Sequence, residues 1–125
     1  PGPAPVKPVP PDKDELPKEA NLAFRIGSDL VWGPSASKFY VAVWRWLFEH
    51  DHVTLTDLPI QSGKARYSAA SEPTHPSGKA FTRPEQPVPG AFIEVNLSRN
   101  DIIRRAKKHL EDHKVAFDVV VGSDA

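Results

Sequence analysis

"PSASKFYVAVWRWLFEHD", residues 34–51, decides how the rest of the chain is read. Pro34, followed by Ser35 or Ser37 as a cap, marks a helix start. At about 100° per residue, Phe39, Val43, Trp46, Leu47 and His50 share one face. Val41, Trp44 and Phe48 form a second apolar face. Only Lys38, Arg45 and Glu49 remain as a polar stripe, with Arg45 and Glu49 at the favourable i, i+4 spacing. A helix apolar over most of its girth is buried. The rest of the domain is therefore expected to wrap around it, with both tryptophans in the core. The competing expectation is that Val41, Trp44 and Phe48 show through as an interface to a partner.

Working outward, "NLAFRIGSDLVWG" (21–33) alternates apolar and polar residues around a Gly-Ser-Asp turn, which predicts a β-hairpin. Residues 51–63 hold a turn and a brief strand, and "KARYSAA" (64–70) is a weakly patterned strand. "AFIEVNL" (91–97) is a strand and "SRNDIIRRAKKHLEDHKV" (98–115) a second helix. Ser98 and Asp101 stand at capping-box spacing there, and Ile102, Ile103, Ala106 and Leu110 make the buried stripe. "VAFDVVV" (115–121) closes the fold as a strand. The order is ββα(β)ββαβ. It predicts an α+β domain with a small mixed sheet packed on two helices. The final β-α-β piece allows either a parallel pair or an antiparallel edge.

Residues 71–90 read as a long Pro-rich internal loop. Pro73, Pro76, Pro84, Pro87 and Pro89 remove donors and are expected to keep the segment out of a sheet. Unstructured loops beyond about 12 residues are usually functional or disordered. Tyr67 and Phe81 are placed to anchor its ends. His75 is expected to lock a turn by donating to a carbonyl, or else to face a ligand.

Seven of the 14 prolines fall in residues 1–20. That segment reads as a linker, with a PxxP pattern that also suits a proline-reading partner. Residues 21–125 then form a single recognition domain. The chain opens on Pro1, which suggests a piece of a longer protein or a processed product. There is no cysteine and no apolar run near the roughly 20 residues that span a bilayer. A cytoplasmic protein with no membrane contact is expected. No nucleophile elbow or phosphate loop appears, so no catalytic residue is assigned and an enzymatic role for this chain alone is disfavoured. His109 and His113 share a helix face but lack a third ligand in sequence. Neither a metal nor a cofactor is expected.

A net charge of zero excludes a generic nucleic-acid coat but permits a local basic patch. Arg104, Arg105 and Lys108 lie on the second helix, and Arg66, Lys79 and Arg83 flank or lie in the loop. With Tyr67 and His75 among them, and Trp44 a further stacking candidate, these residues suit backbone contact plus base stacking. The competing explanation is an ordinary solvated helix face, with Lys107–Glu111 and Lys108–Asp112 as surface pairs.

The stretch from Arg66 and Tyr67 through Glu72, Pro73, His75, Pro76 and Gly78 to Phe92, Ile93, Glu94, Asn96, Leu97 and Ser98 resembles a recurring module of bacterial restriction and phage-defence proteins. The resemblance covers residues 22–121. It implies an accessory module, often at the end of a longer chain, and adds no catalytic residue. The leading expectation is DNA binding as part of a larger bacterial, defence-related protein. The alternative is a protein-interaction or homo-oligomerisation module using Val41, Trp44 and Phe48, with other domains of the longer chain or a second copy as partner.

Overall fold

The computed structural model describes residues 16–63 and 66–122. The Pro-rich segment 1–15, with its PxxP pattern, lies outside the described residues. The expected hairpin is present as β1 (Leu22–Ile26) and β2 (Asp29–Gly33), paired antiparallel with Ile26 opposite Asp29. The long apolar helix is α1 (Ala36–Glu49), capped by Ser35, whose Oγ accepts from the Lys38 N–H at 3.2 Å.

Further on come a short 3-10 turn (Leu55–Asp57), β3 (Ile60–Gly63), β4 (Arg66–Ala70), β5 (Pro84–Val88) and β6 (Ala91–Glu94). Then follow α2 (Arg99–Asp112) and β7 (Phe117–Val121). The α+β class is as expected, but there are two sheets and both are antiparallel. One has the order β2-β1-β7 and the other β3-β4-β6-β5. The strands flanking α2 thus lie in different sheets, so β6 and β7 form neither a parallel pair nor a shared edge.

β5 was not expected. Residues 84–88 contain Pro84 and Pro87, yet they pair with β6 through Pro84↔Glu94, Glu85↔Ile93 and Val88↔Ala91. The reason is position. β5 is the outermost strand, and proline's missing donor costs little on an edge. Pro89-Gly90 makes the turn into β6, with Gly90 at φ +89°, a conformation that favours glycine.

The core lies between the sheets and the helices. Leu22, Phe24 and Ile26 of β1 meet Phe39, Val43 and Leu47 of α1 and Ile102, Ile103 and Leu110 of α2. The buried face of α1 is Phe39, Tyr40, Val43, Trp44 and Leu47. It therefore sits between the two faces drawn from the sequence. Phe24 stacks on Phe117 of β7 at 5.4 Å and meets Phe39 edge-on at 4.8 Å.

Gly33 sets how closely β2 approaches α1. A Cβ there would lie 2.7 Å from Phe39 Cα and 2.8 Å from the Lys38 carbonyl carbon, both backbone atoms that cannot rotate away. Gly33→Ala is expected to cost about 2 kcal/mol through this overpacking. A urea-denaturation midpoint checks it.

Candidate functional site

The internal loop is folded back on itself. The His75 N–H donates to the Lys79 carbonyl at 2.8 Å, the Gly78 N–H to the His75 carbonyl at 2.9 Å and the Phe81 N–H to the Pro73 carbonyl at 2.8 Å. Thr74 and Ala80 form an isolated β-bridge. Residues 73–81 are thus a small hairpin.

Glu94, at the end of β6, holds this hairpin to the sheet. Its carboxylate accepts from the backbone N–H of Thr82 at 2.6 Å, Arg83 at 2.8 Å and Asn96 at 3.1 Å. His75 Nε2 stands 3.6 Å from the same carboxylate. Both side chains are nearly closed to solvent, at 11% exposed for His75 and 6% for Glu94. Burial alone would push the Glu94 carboxyl up. The three N–H donors and His75 overcome it and hold the group below its usual range.

His75 Nδ1 accepts from the Tyr67 N–H at 3.2 Å, and the His75 ring packs 4.5 Å from the buried Phe81. The donor to Nδ1 leaves Nε2 as the protonated nitrogen, facing Glu94. Both ring nitrogens are therefore engaged. His75 locks the turn as expected, but as an acceptor from a backbone N–H and not as a donor to a carbonyl. This His–carboxylate pair is a clamp.

Glu94→Gln keeps the shape but leaves a single acceptor oxygen and no charge. It is expected to cost about 2 kcal/mol, because the charge-assisted bonds weaken and Thr82 and Arg83 compete for one oxygen. Thermal unfolding checks the size, and faster amide hydrogen exchange at Thr82 and Arg83 would locate the effect.

The basic residues singled out in the sequence fall into separate places. Arg66, Tyr67, His75 and Arg105 line one small cavity. Arg104 and Lys108 lie on the outer face of α2 and are each paired within the helix. Arg104 meets Asp101 at 2.7 Å and Lys108 meets Asp112 at 2.9 Å. Asp101 thereby serves half a capping box: its N–H donates to Ser98 Oγ at 3.1 Å while its carboxylate turns to Arg104. Lys79 is exposed at the tip of the hairpin.

Arg83 lies elsewhere, in a groove of about 310 Å3 between α1 and β5. Lys38 and Arg45 share that groove, together with the hydroxyl residues Ser35 and Ser37. Arg45 is fixed toward β5 by donating from Nε to the Pro87 carbonyl at 3.1 Å. Neither Lys38 nor Arg83 forms an ion pair among the described residues, and Glu85 is the carboxylate that lines the groove. Three cations thus converge from two stretches of chain, α1 and the entry to β5. The sequence marks Lys38 and Arg45 only as part of a polar stripe. Their spacing of seven puts them on one side of α1, but nothing local in sequence brings Arg83 to them.

The structure does not bring the three residues of the expected interface together on one exposed face. Trp44 is fully buried, packed against Tyr40, Phe48 and His109, so it can neither stack on a base nor meet a partner. Val41 lines the basic groove, whereas Phe48 lines a different, more apolar one beside Leu55. His109 is buried too. Its Nε2 shares a 3.0 Å hydrogen bond with Ser68 Oγ, and desolvation drives its pKa down to about 4. Among the described residues, no three histidines or carboxylates stand close enough to hold a metal ion, and no helix is long and apolar enough to cross a membrane.

No family model, no curated protein and no solved structure matches this chain.

Proposed function

We propose that the domain is a nucleic-acid-binding accessory module whose principal phosphate contacts are Lys38, Arg45 and Arg83. The observation that carries this reading is their convergence in one groove, with Lys38 and Arg83 free of ion pairs among the described residues. Unpaired cations held together repel one another, and an anionic backbone relieves that repulsion. The groove runs beside the edge strand β5, so an extended chain has room to follow it. Arg66 and Lys79 are exposed on the same chain segment and add outer contacts. Arg104 and Lys108 contribute less, because each is already neutralised by a neighbour in its own helix. On this reading the domain serves a longer bacterial protein, the setting that the sequence resemblance implies.

The test is fluorescence anisotropy with labelled single- and double-stranded DNA across a salt series. Neutralising about three phosphates predicts a slope of log K on log salt of roughly −2.7 for duplex and −2.1 for single strands. Absence of binding at low salt would sink the proposal for DNA.

A further inference from the structure

Tyr40 of α1, Ser62 of β3 and Arg105 of α2 line one small cavity. About 10 Å3 of it is open to the centre of a water molecule, which is roughly the space that one ordered water needs. Each of the three residues has a side-chain polar atom closed to solvent and without a hydrogen bond in the protein: Tyr40 Oη, Ser62 Oγ and Arg105 Nε. Tyr40 is 1% exposed. Buried polar groups almost always have partners, and three orphans around one space are a concentration that a shared partner explains.

We infer that this cavity is a binding site for a single structural water, held by Tyr40, Ser62 and Arg105. The chemistry of the set selects the occupant. Arg105 Nε–H only donates, whereas the two hydroxyls donate or accept. A water accepts from Arg105 and from one hydroxyl, and donates to the other. Tyr40 remains a neutral hydroxyl, since its burial raises its pKa against the nearby Trp44 indole N–H, the Arg105 charge and the Ser68 hydroxyl. The indole and the Ser68 hydroxyl stand close to Tyr40 Oη but outside hydrogen-bond geometry. A halide could accept from all three, and the lining carries Arg66 and Arg105 as well as the ionised Glu94 carboxylate, but the open space is that of one water and is too small for a chloride ion. The water ties the outer strand of one sheet to both helices at a point where the protein supplies no direct bond. This inference is independent of nucleic-acid binding.

The test is a high-resolution crystal structure of the protein grown with bromide in place of chloride, together with rotating-frame NMR cross-peaks to water. The expected result is one water peak about 2.7–3.2 Å from Tyr40 Oη, Ser62 Oγ and Arg105 Nε, without anomalous signal. In solution, the Arg105 Nε proton should show a cross-peak to a long-lived water. Ser62→Ala, at a half-buried strand position, should weaken that cross-peak at least twofold while the fold is kept. A cavity without density, direct pairing among the three side chains, or an anomalous bromide peak would overturn the inference. So would a cross-peak unchanged in Ser62→Ala.

Discussion

Trp44→Ala should lower folding stability by about 4 kcal/mol. The side chain is fully buried and is the largest in the core. It packs on Tyr40 and Phe48 at 6.3 Å and on His109 at 4.7 Å, so it joins α1 to α2. Removing it leaves a cavity that rigid neighbours on two helices cannot fill. Domains of this size hold roughly 5–15 kcal/mol in total, so this one change should remove about a quarter or more of the stability. Trp44→Phe should cost less, about 1–2 kcal/mol, because a ring remains and the buried indole N–H, which has no partner in the protein, is removed. Urea denaturation of both variants measures the difference. A surface role would give the opposite pattern, with an unchanged urea midpoint and a lost partner.

Acid should destabilise the domain through His109 well before ordinary carboxylates titrate. The ring is buried against Trp44 and Ser68, and its pKa is held at about 4, against 6.5 for the free side chain. Above pH 6.5 it is neutral in both folded and unfolded chains and contributes no pH dependence. Between pH 6.5 and 4 the unfolded chain takes up a proton that the folded chain refuses, so stability falls as pH falls. The loss is about 3 kcal/mol by pH 4. Glu94 adds a second loss lower down. Its carboxyl is held below the usual 4.5, so its contribution is present above that value and disappears as pH falls through the folded pKa. His109→Gln keeps a polar partner for Ser68 and removes the titration. It should flatten the stability profile between pH 6.5 and 4 and leave the lower loss in place. Denaturant midpoints across that range decide it, and a profile identical to the parent would contradict the assignment. Trp44 and His109 touch, so substitutions at the two positions should not add.

Much of the fold was legible because its signals are local. The girth of α1, the stripe of Ile102, Ile103, Ala106 and Leu110, and the Gly27-Ser28-Asp29 turn are each fixed within a few residues. Their pairing partners are not. The chain between β6 and β7 holds only α2 and short connections, and nothing in it specifies that the two strands join different sheets. β5 was hidden by Pro84 and Pro87, which argue against a central strand but not against an edge. Glu94 did leave a trace, as a charge inside the apolar run "AFIEVNL". A carboxylate at such a position calls for several donors, and Thr82 and Arg83, just past the hairpin of residues 73–81, supply them together with Asn96 and the His75 ring. The prolines of that segment therefore shape a fixed structure around Glu94 and His75. The basic groove was least legible, since Lys38, Arg45 and Arg83 meet only through tertiary packing.

The most direct test of the nucleic-acid reading compares two double variants for DNA affinity at about 50 mM salt. If the groove between α1 and β5 carries the phosphates, Lys38→Ala/Arg83→Ala should lose on the order of 100-fold and flatten the salt slope by roughly 1.8. Arg104→Ala/Lys108→Ala should stay within a few-fold of the parent, because those cations are already paired with Asp101 and Asp112. Equal affinity of the groove variant and the parent, or a larger loss in the helix variant, would contradict the assignment of the groove.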